Sequence, residues 1–343
     1  DWPTSSLARK EREITQSASS EIVKTERGHQ RELGQWRGRE EEEEEEESHD
    51  GACYRISSFR VLGTHNSYHL STAIRFIPPL RYSHPGLIEQ LDRFKFRALE
   101  LDLHLIRDTI LVYHMQLYDD RSSCYCFREC LEQIHLWSSS SPKHFPVYIF
   151  LELKTAAFEN LQSYTLGFGQ TQLDLIESQI LEVFGREDLI LPQDIQGDFD
   201  TMLESLDAKG PAAWPLVEEA RGKVMFLMLD SHDVLKSVYL QNSTSLRNVV
   251  FACTHAVRPY SACLTEQSPA KTQILSQRGI LTRALSNVGT CTNWNPFFDK
   301  ETYHTALASK SNVFMGDCVV CNTNDVSEYC ESLPSGETVE CIW

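Results

Sequence analysis

The chain has 343 residues and a formal net charge of −17 at pH 7. So acidic a balance argues against nucleic acid as a partner, because phosphate backbones are bound by basic patches. No run of about 18 consecutive apolar residues occurs, so the sequence predicts no membrane-spanning helix.

The first fifty or so residues differ in composition from the rest. Residues 40–47 are an unbroken run of glutamate, and the residues before them are mostly polar with no hydrophobic period. Such a segment cannot bury enough apolar surface to offset the entropy lost on ordering. We therefore predict a disordered, Glu-rich extension over residues 1–52, for which a solvated spacer is favoured over a docking tail.

Residues 53–343 are predicted to form one domain in which strands alternate with helices. Seven core strands are predicted over residues 59–64, 97–105, 146–153, 223–229, 248–253, 279–284 and 312–316, and an adjoining strand over 110–115. Helices are predicted over residues 84–95, 126–137, 171–184, 214–221, 269–277 and 300–309.

This alternation favours a parallel sheet. A closed (β/α)8 barrel of the TIM type is preferred to an open doubly wound sheet, because single barrels commonly have this length. The eighth barrel strand is expected in the irregular stretch after Leu189.

All eleven cysteines lie from Cys53 onward, and several of them are close together in the sequence. Local disulfides in an oxidising compartment suit this spacing and the single glycosylation sequon at Asn242. Free buried thiols and a zinc site are the alternatives, although no paired Cys-x2-Cys motifs occur at zinc-finger spacing. Disulfides are the favoured interpretation of the cysteines, and they place the protein outside the cell or in the lumen of the secretory pathway.

Polar side chains recur at the ends of successive predicted strands, where barrel enzymes carry their reactive residues. Each one has an ordinary structural explanation when it is taken alone. Their order along three successive strand ends favours one shared site instead. The six candidates are His65, Asn66, Glu100, Asp102, His114 and Glu152.

The residue types at these positions indicate a particular chemistry. Carboxylate and amide oxygens bind Ca²⁺ or Mg²⁺ in preference to thiophilic metals, and the carboxylates would repel one another without a cation between them. A divalent cation can polarise a phosphoryl oxygen, while two histidines can serve as base and acid. We therefore predict in-line attack on a phosphodiester.

Four stretches carry a resemblance to a known family: residues 63–68 (GTHNSY), 100–102 (ELD), 113–114 (YH) and 151–154 (LELK). Together they resemble the calcium-dependent phosphatidylinositol-specific phospholipase C family. That family shares a superfamily with glycerophosphodiester phosphodiesterases and sphingomyelinase D-type toxins. The resemblance runs from about Cys53 to the last strand, and it implies a TIM-type barrel with bound Ca²⁺.

The resemblance also implies a role for each matching position. His65 would be the general base, and His114 would be the general acid. Lys154 would neutralise the phosphate or pair with a metal ligand, and Arg283 would bind the substrate. The implied metal ligands are Asn66, Glu100, Asp102 and Glu152.

The leading functional hypothesis is phospholipase C-type cleavage of phosphatidylinositol or a related inositol phosphodiester with Ca²⁺. The alternatives are cleavage of a glycerophosphodiester or sphingomyelin-like headgroup with Mg²⁺, and a non-catalytic barrel that binds lipid headgroups. The expected partner is a phospholipid or phosphodiester headgroup, with transient contact to a membrane surface and no nucleic acid.

Other residues near the predicted site receive a structural interpretation. His69 and His104 are expected to be structural hydrogen-bonding residues, although His104 could orient a metal ligand from behind. Residues 76–82 and the aromatic side chains of Trp294, Phe297 and Phe298 could form a membrane-contacting rim. Packing over the barrel end is the favoured explanation for them.

Overall fold

The computed structural model describes residues 54–71, 80, 82–154, 168–229, 240, 249–265, 268–286, 300–317 and 338–342. The predicted extension over residues 1–52 lies outside these ranges, so its boundary and its disorder stay predictions.

Ten strands form one sheet in the described part of the chain, and eight of them are parallel and close into a barrel. The closed barrel predicted from the sequence is therefore confirmed. The strands are β1 (Phe59–Thr64), β2 (Ala98–Ile106), β3 (Thr109–Val112), β4 (Val147–Leu153), β5 (Val224–Leu229), β6 (Val250–Thr254), β7 (Ser261–Thr265), β8 (Leu281–Leu285), β9 (Val313–Gly316) and β10 (Val339–Cys341).

The two remaining strands, β3 and β10, are antiparallel additions to β2 and β1. Helices alternate with many of the strands along the described chain, as in other barrels of this type. The described helices are α1 (Leu87–Asp92), α2 (Phe127–Ser140), α3 (Gln170–Val183), α4 (Pro192–Gln196), α5 (Met202–Lys209), α6 (Val217–Ala220), α7 (Pro269–Gln277) and α8 (Lys300–Ala308). None of them is both long and apolar enough to span a bilayer.

The barrel strands are buried on both faces, which explains their nearly continuous apolar sequence. All six residues of β5 are buried, because one face contacts the barrel interior and the other contacts the helices. Alternation of polar and apolar residues is clearest in β2, which carries Glu100, Asp102 and His104 along its length.

The eighth barrel strand is β7, so its predicted position after Leu189 is wrong. There the chain makes only an isolated parallel bridge from Leu189 to Val224 and then enters α4. The strand β7 has the sequence SACLT, whose small and polar residues lack the apolar run used to find the others. It is fixed to β6 by the disulfide Cys253–Cys263 and by a 2.6 Å hydrogen bond between the hydroxyls of Thr254 and Ser261.

The predicted disulfides are confirmed in the described part of the chain. Cys124 is bonded to Cys130, a second disulfide joins β6 to β7 as given above, and Cys341 is also disulfide-bonded. Cys126 is a free, exposed thiol. No described cysteine belongs to a group that could hold a metal ion.

The barrel closes at Gly63, where β1 meets β2 opposite Ala98. A Cβ atom at position 63 would overlap the Ala98 carbonyl oxygen and would lie 2.5 Å from the Ala98 Cβ atom. Only glycine permits this approach of two backbones.

We therefore expect Gly63→Ala to force the two strands apart and to lower the free energy of unfolding by about 1–3 kcal/mol, as overpacking does. Urea unfolding followed by circular dichroism measures this loss. Gly86→Ala is the matched control, because a Cβ atom there would meet nothing within 4 Å. Equal stability of the two variants would contradict this account of closure.

Candidate active site

Parallel pairing between β2 and β4 brings the predicted carboxylates together. Asp102 lies directly opposite Glu152 in this register, and Glu100 lies two residues earlier on the same face of β2. Each of the three offers a ligand oxygen within 4.8 Å of the others. We call Glu100, Asp102 and Glu152 the carboxylate cluster.

Asn66 completes this cluster from the turn after β1. Its φ of 47° is in the left-handed region, which asparagine tolerates better than most residues. The backbone conformation of this turn therefore favours an asparagine, independently of any role of its side chain. Its Nδ2 donates to Tyr82 Oη at 3.3 Å. The other atom of the same side-chain amide, Asn66 Oδ1, lies 3.2 Å from Asp102 Oδ2.

Two oxygens at this separation repel each other unless the amide turns over or a cation lies between them. Three carboxylates and an amide oxygen are the donor set of a hard divalent cation such as Ca²⁺. The residues of this chain therefore fit the calcium ion that the resemblance implies.

Two basic side chains partly balance the cluster. Lys154 Nζ lies 3.1 Å from Asp102 Oδ2 and 2.9 Å from Glu152 Oε1, while Arg283 forms an ion pair with Glu100. Burial raises the pKa of Asp102 to about 6 despite the nearby ammonium group. Burial acts the same way on Glu152, but Lys154 outweighs it and lowers the pKa of that carboxyl.

His65 lies beside the cluster and has a carboxylate partner of its own. Its Nδ1 is 2.8 Å from Asp317 Oδ1, and its Nε2 is 3.9 Å from Glu100 Oε1. Burial lowers the pKa of His65, but Asp317 and Glu100 outweigh burial and raise it to about 9. The ring therefore presents Nε2 to the site while Asp317 holds Nδ1.

Sequence reasoning missed Asp317, although a signal was present. It follows β9 directly, at the same barrel end as the predicted residues. The rule that found His65 after β1 also applies to this aspartate.

His114 follows β3 and has a second buried aspartate as its partner. Its Nδ1 lies 2.7 Å from Asp119 Oδ2. Reciprocal backbone hydrogen bonds between Met115 and Asp119, both 2.9 Å, close a tight turn that returns Asp119 to the histidine. Burial raises the pKa of Asp119, but hydrogen bonds from His114 and His69 outweigh it and lower the pKa. Sequence reasoning also missed this residue.

The structure brings the predicted site residues to one end of the barrel. Direct contacts link His65, Asn66, the carboxylate cluster, Lys154 and Arg283. His114 interacts with this group electrostatically through Asp102.

The neighbouring residues show where the structural interpretations apply. His104 places Nε2 2.9 Å from the Tyr113 carbonyl oxygen and stacks on the Tyr113 ring, so it supports β3 rather than a metal ligand. Leu80 and Tyr82 are buried, which agrees with packing rather than a rim. The other residues of 76–82, and Trp294, Phe297 and Phe298, lie outside the described residues.

A closed parallel barrel with an acidic cluster and two histidines at the C-terminal strand ends is the architecture of a metal-dependent barrel hydrolase. The sequence model of one family, described as "Phosphoinositide phospholipase C, Ca2+-dependent", matches residues 104–342. Because this match covers well over half of the chain, the chain belongs to that family of calcium-dependent phosphodiesterases. The predicted family, enzyme class and calcium dependence are confirmed.

Solved structures share the fold. The calcium-dependent phosphoinositol-specific phospholipase C of a Pseudomonas species has a TM-score of 0.58 and 16% identity, over 84% of this chain and 96% of that one. Its myo-inositol complex gives 0.57 and 15% over the same shares. The enzyme of Streptomyces antibioticus gives 0.52 and 17%, over 77% of this chain and 95% of that one. A comparison with curated protein sequences found no match.

A buried histidine near the site predicts a pH dependence of stability. His84 donates from Nε2 to the His65 carbonyl oxygen at 2.9 Å. Burial lowers the pKa of His84 to about 4. In the unfolded chain a histidine titrates near 6.5, so between these values the unfolded chain binds a proton that the folded chain does not.

The contribution of His84 to the free energy of unfolding should therefore fall as the pH decreases from about 6.5 toward 4, by up to about 1.4 kcal/mol per pH unit. Urea midpoints at a series of pH values measure the slope, and His84→Gln should reduce it. His135→Gln, at a partly exposed helix position, should leave it unchanged. An unaltered slope in His84→Gln would rule out this contribution.

Proposed function

We propose that this protein cleaves phosphatidylinositol, or a related inositol phosphodiester, by phospholipase C-type chemistry with His65 as base and His114 as acid. The observation that carries the proposal is that two histidines, each bonded through Nδ1 to a buried aspartate, flank the carboxylate cluster. This arrangement leaves both Nε2 atoms for proton transfer to and from a substrate.

His65 takes the proton from the attacking group, which is a substrate hydroxyl beside the phosphate or a water molecule. The hydroxyl oxygen bonds to phosphorus as its proton passes to Nε2, and Asp317 stabilises the resulting imidazolium. Asp317 and, to a smaller extent, Glu100 raise the pKa of His65 to about 9, while burial and Arg283 oppose them. A cation that balances the nearby carboxylates would shift His65 toward the neutral form that a base requires.

His114 acts at the opposite end of the reaction. Its protonated ring donates from Nε2 to the glycerol oxygen as the bond between that oxygen and phosphorus breaks. The Asp119 carboxylate holds Nδ1 at 2.7 Å and thereby directs Nε2 toward the leaving oxygen. The proton balance closes when the two histidines exchange their protons with solvent.

We assign the calcium ligands as Asn66, Glu100, Asp102 and Glu152. Bound Ca²⁺ supplies positive charge that polarises a phosphoryl oxygen and stabilises the charge that develops on phosphorus attack. Arg283 and Lys154 are proposed to contact the phosphate from either side of the cluster. Arg283 is held in place over the Phe150 ring, at 5.2 Å from the ring centroid.

We further propose that the enzyme touches the membrane through the turn after His114. Leu117 and Tyr118 are adjacent at its tip, with 71% and 56% of their surface exposed. Leu117 has a φ of 72°, a conformation that is unusual for a bulky residue and costs about 1 kcal/mol or more. A strained, exposed leucine next to the acid suggests selection for contact with the lipid layer that holds the substrate.

The place of action is proposed to be outside the cell or in the lumen of the secretory pathway. Two disulfides within the described residues fit an oxidising compartment. The free thiol of Cys126 is compatible with the same place.

The chemistry is tested by phosphorus NMR of phosphatidylinositol incubated with the protein. With Ca²⁺ we expect release of an inositol phosphate or cyclic phosphate, and with excess chelator we expect no product. His65→Ala should lower the rate by at least about 100-fold, because it removes the base. His135→Ala, an exposed histidine on α2, is the control and should retain full rate. Full activity in His65→Ala, or in the chelated enzyme, would refute the proposal.

The membrane contact is tested by Leu117→Asn. Asparagine suits the left-handed conformation, so the variant should be as stable as the parent or more so. Its rate on phosphatidylinositol vesicles should nevertheless fall several-fold, because an apolar anchor is lost. Its rate on a soluble short-chain substrate should not change. Leu136→Asn removes an equally exposed leucine from α2 and is the control. Equal vesicle rates in both variants would exclude the turn as the contact.

A further inference from the structure

Asp119 is shared by two imidazole rings. Its fully buried carboxylate places Oδ2 2.7 Å from His114 Nδ1, and both carboxylate oxygens lie 2.9 Å from His69 Nε2. His69 is itself fully buried. The proposed acid therefore belongs to a three-membered group of His114, Asp119 and His69.

The contacts of the His69 ring define which nitrogen is the donor. A ring nitrogen that faces both oxygens of an ionised carboxylate carries a proton, so Nε2 is a donor. Its Nδ1 is buried and has no hydrogen-bond partner among the described residues. The hydrogen bond from Nε2 to Asp119 is therefore the polar contact of this ring in the part of the chain that the structure describes.

His69 has a specific effect on Asp119. Its Nε2 donates a hydrogen bond that orients the carboxylate. The oriented Oδ2 in turn accepts from His114 Nδ1 and fixes the direction in which that ring points.

We propose that His69 is a positioning residue that acts through Asp119 to hold His114 in the orientation that its role as the acid requires. This inference rests on the proposed function, since it assigns the support of the acid in that reaction. It concerns a residue for which the sequence favoured an ordinary structural role.

His69 also connects the acid to the calcium side of the site. Its ring stacks on Tyr82 with centroids 4.1 Å apart, and the Tyr82 hydroxyl accepts from the Asn66 amide. Its backbone N–H donates to the Asn66 carbonyl at 2.8 Å. Two contacts, a polar one to Asp119 and an apolar one to Tyr82, could therefore explain the presence of this ring.

The charged and titratable groups that face His114 come from three elements. Asp119 lies on its own turn, and His69 lies on the turn after β1. Asp102 and His104 of β2 interact with it electrostatically. Burial lowers the pKa of His104 to about 4, so that ring is neutral at working pH. Asp119 is the carboxylate in direct contact.

Two substitutions separate the polar contact of His69 from the apolar one. His69→Gln retains an N–H donor at the distance of Nε2 but loses the aromatic stack, whereas His69→Phe retains the stack but loses the donor. Positioning through Asp119 predicts that kcat on phosphatidylinositol falls about 10-fold or more in His69→Phe and is largely rescued in His69→Gln. A packing role predicts the reverse order, and that result would overturn the inference.

Changing the leaving group of the substrate gives a second test. A purely structural role of His69 would not produce the result that positioning predicts. A diester with a nitrophenolate leaving group needs no acid, so His69→Phe and Asp119→Asn should approach the parental rate on it while they remain slow on the glycerol ester. Equal losses on both substrates would overturn the inference.

Nitrogen-15 NMR of the histidine rings tests the hydrogen bond itself in the parent protein, without a folding risk. The parent should show a proton on His69 Nε2, assigned by the signal that disappears in His69→Gln. An unprotonated Nε2 on His69 would overturn the inference. A parent enzyme that is inactive on both diesters would instead overturn the proposed function and this inference together.

Discussion

The mutual repulsion of three carboxylates at one barrel end is the constraint on which the rest of the site depends. Glu100, Asp102 and Glu152 converge within 4.8 Å, and burial removes most of the water that would screen them. Lys154 and Arg283 reduce the repulsion, yet the pKa of Asp102 is still raised to about 6. A bound divalent cation resolves this conflict, which accounts for the calcium dependence of the family.

The same charges organise the proton chemistry around the cluster. The pKa of His65 is raised by Asp317 together with Glu100, so the base is coupled to the charge state of the cluster. His114 has a separate aspartate partner, Asp119, and interacts with the cluster through Asp102. Each histidine therefore has its own buried aspartate, and both are linked to the charge of the cluster.

Most of the fold and the first layer of the site could be predicted from sequence because both rest on local patterns. Apolar runs located seven barrel strands, and strand ends located His65, Glu100 and Glu152. The strand β7 was missed because its residues are small and its stability comes from a disulfide and neighbouring strands. The partnership of Asp119 and His69 with His114 was missed because it exists only in the folded chain. A tight turn brings Asp119 to His114, and His69 reaches Asp119 from the turn after β1. Long-range hydrogen bonds of this kind leave no periodic signal in a sequence.

The central claim is that the carboxylate cluster and Asn66 share one calcium ion. Calorimetric titration of the protein with Ca²⁺ at pH 7.5, where Asp102 is ionised, tests it most directly. The account predicts one bound ion for each chain, and at least about 10-fold weaker binding in Glu152→Gln, because one of its carboxylate ligands becomes a neutral amide. Glu132→Gln, an exposed carboxylate on α2, should bind as the parent does. Unchanged affinity in Glu152→Gln would contradict the claim.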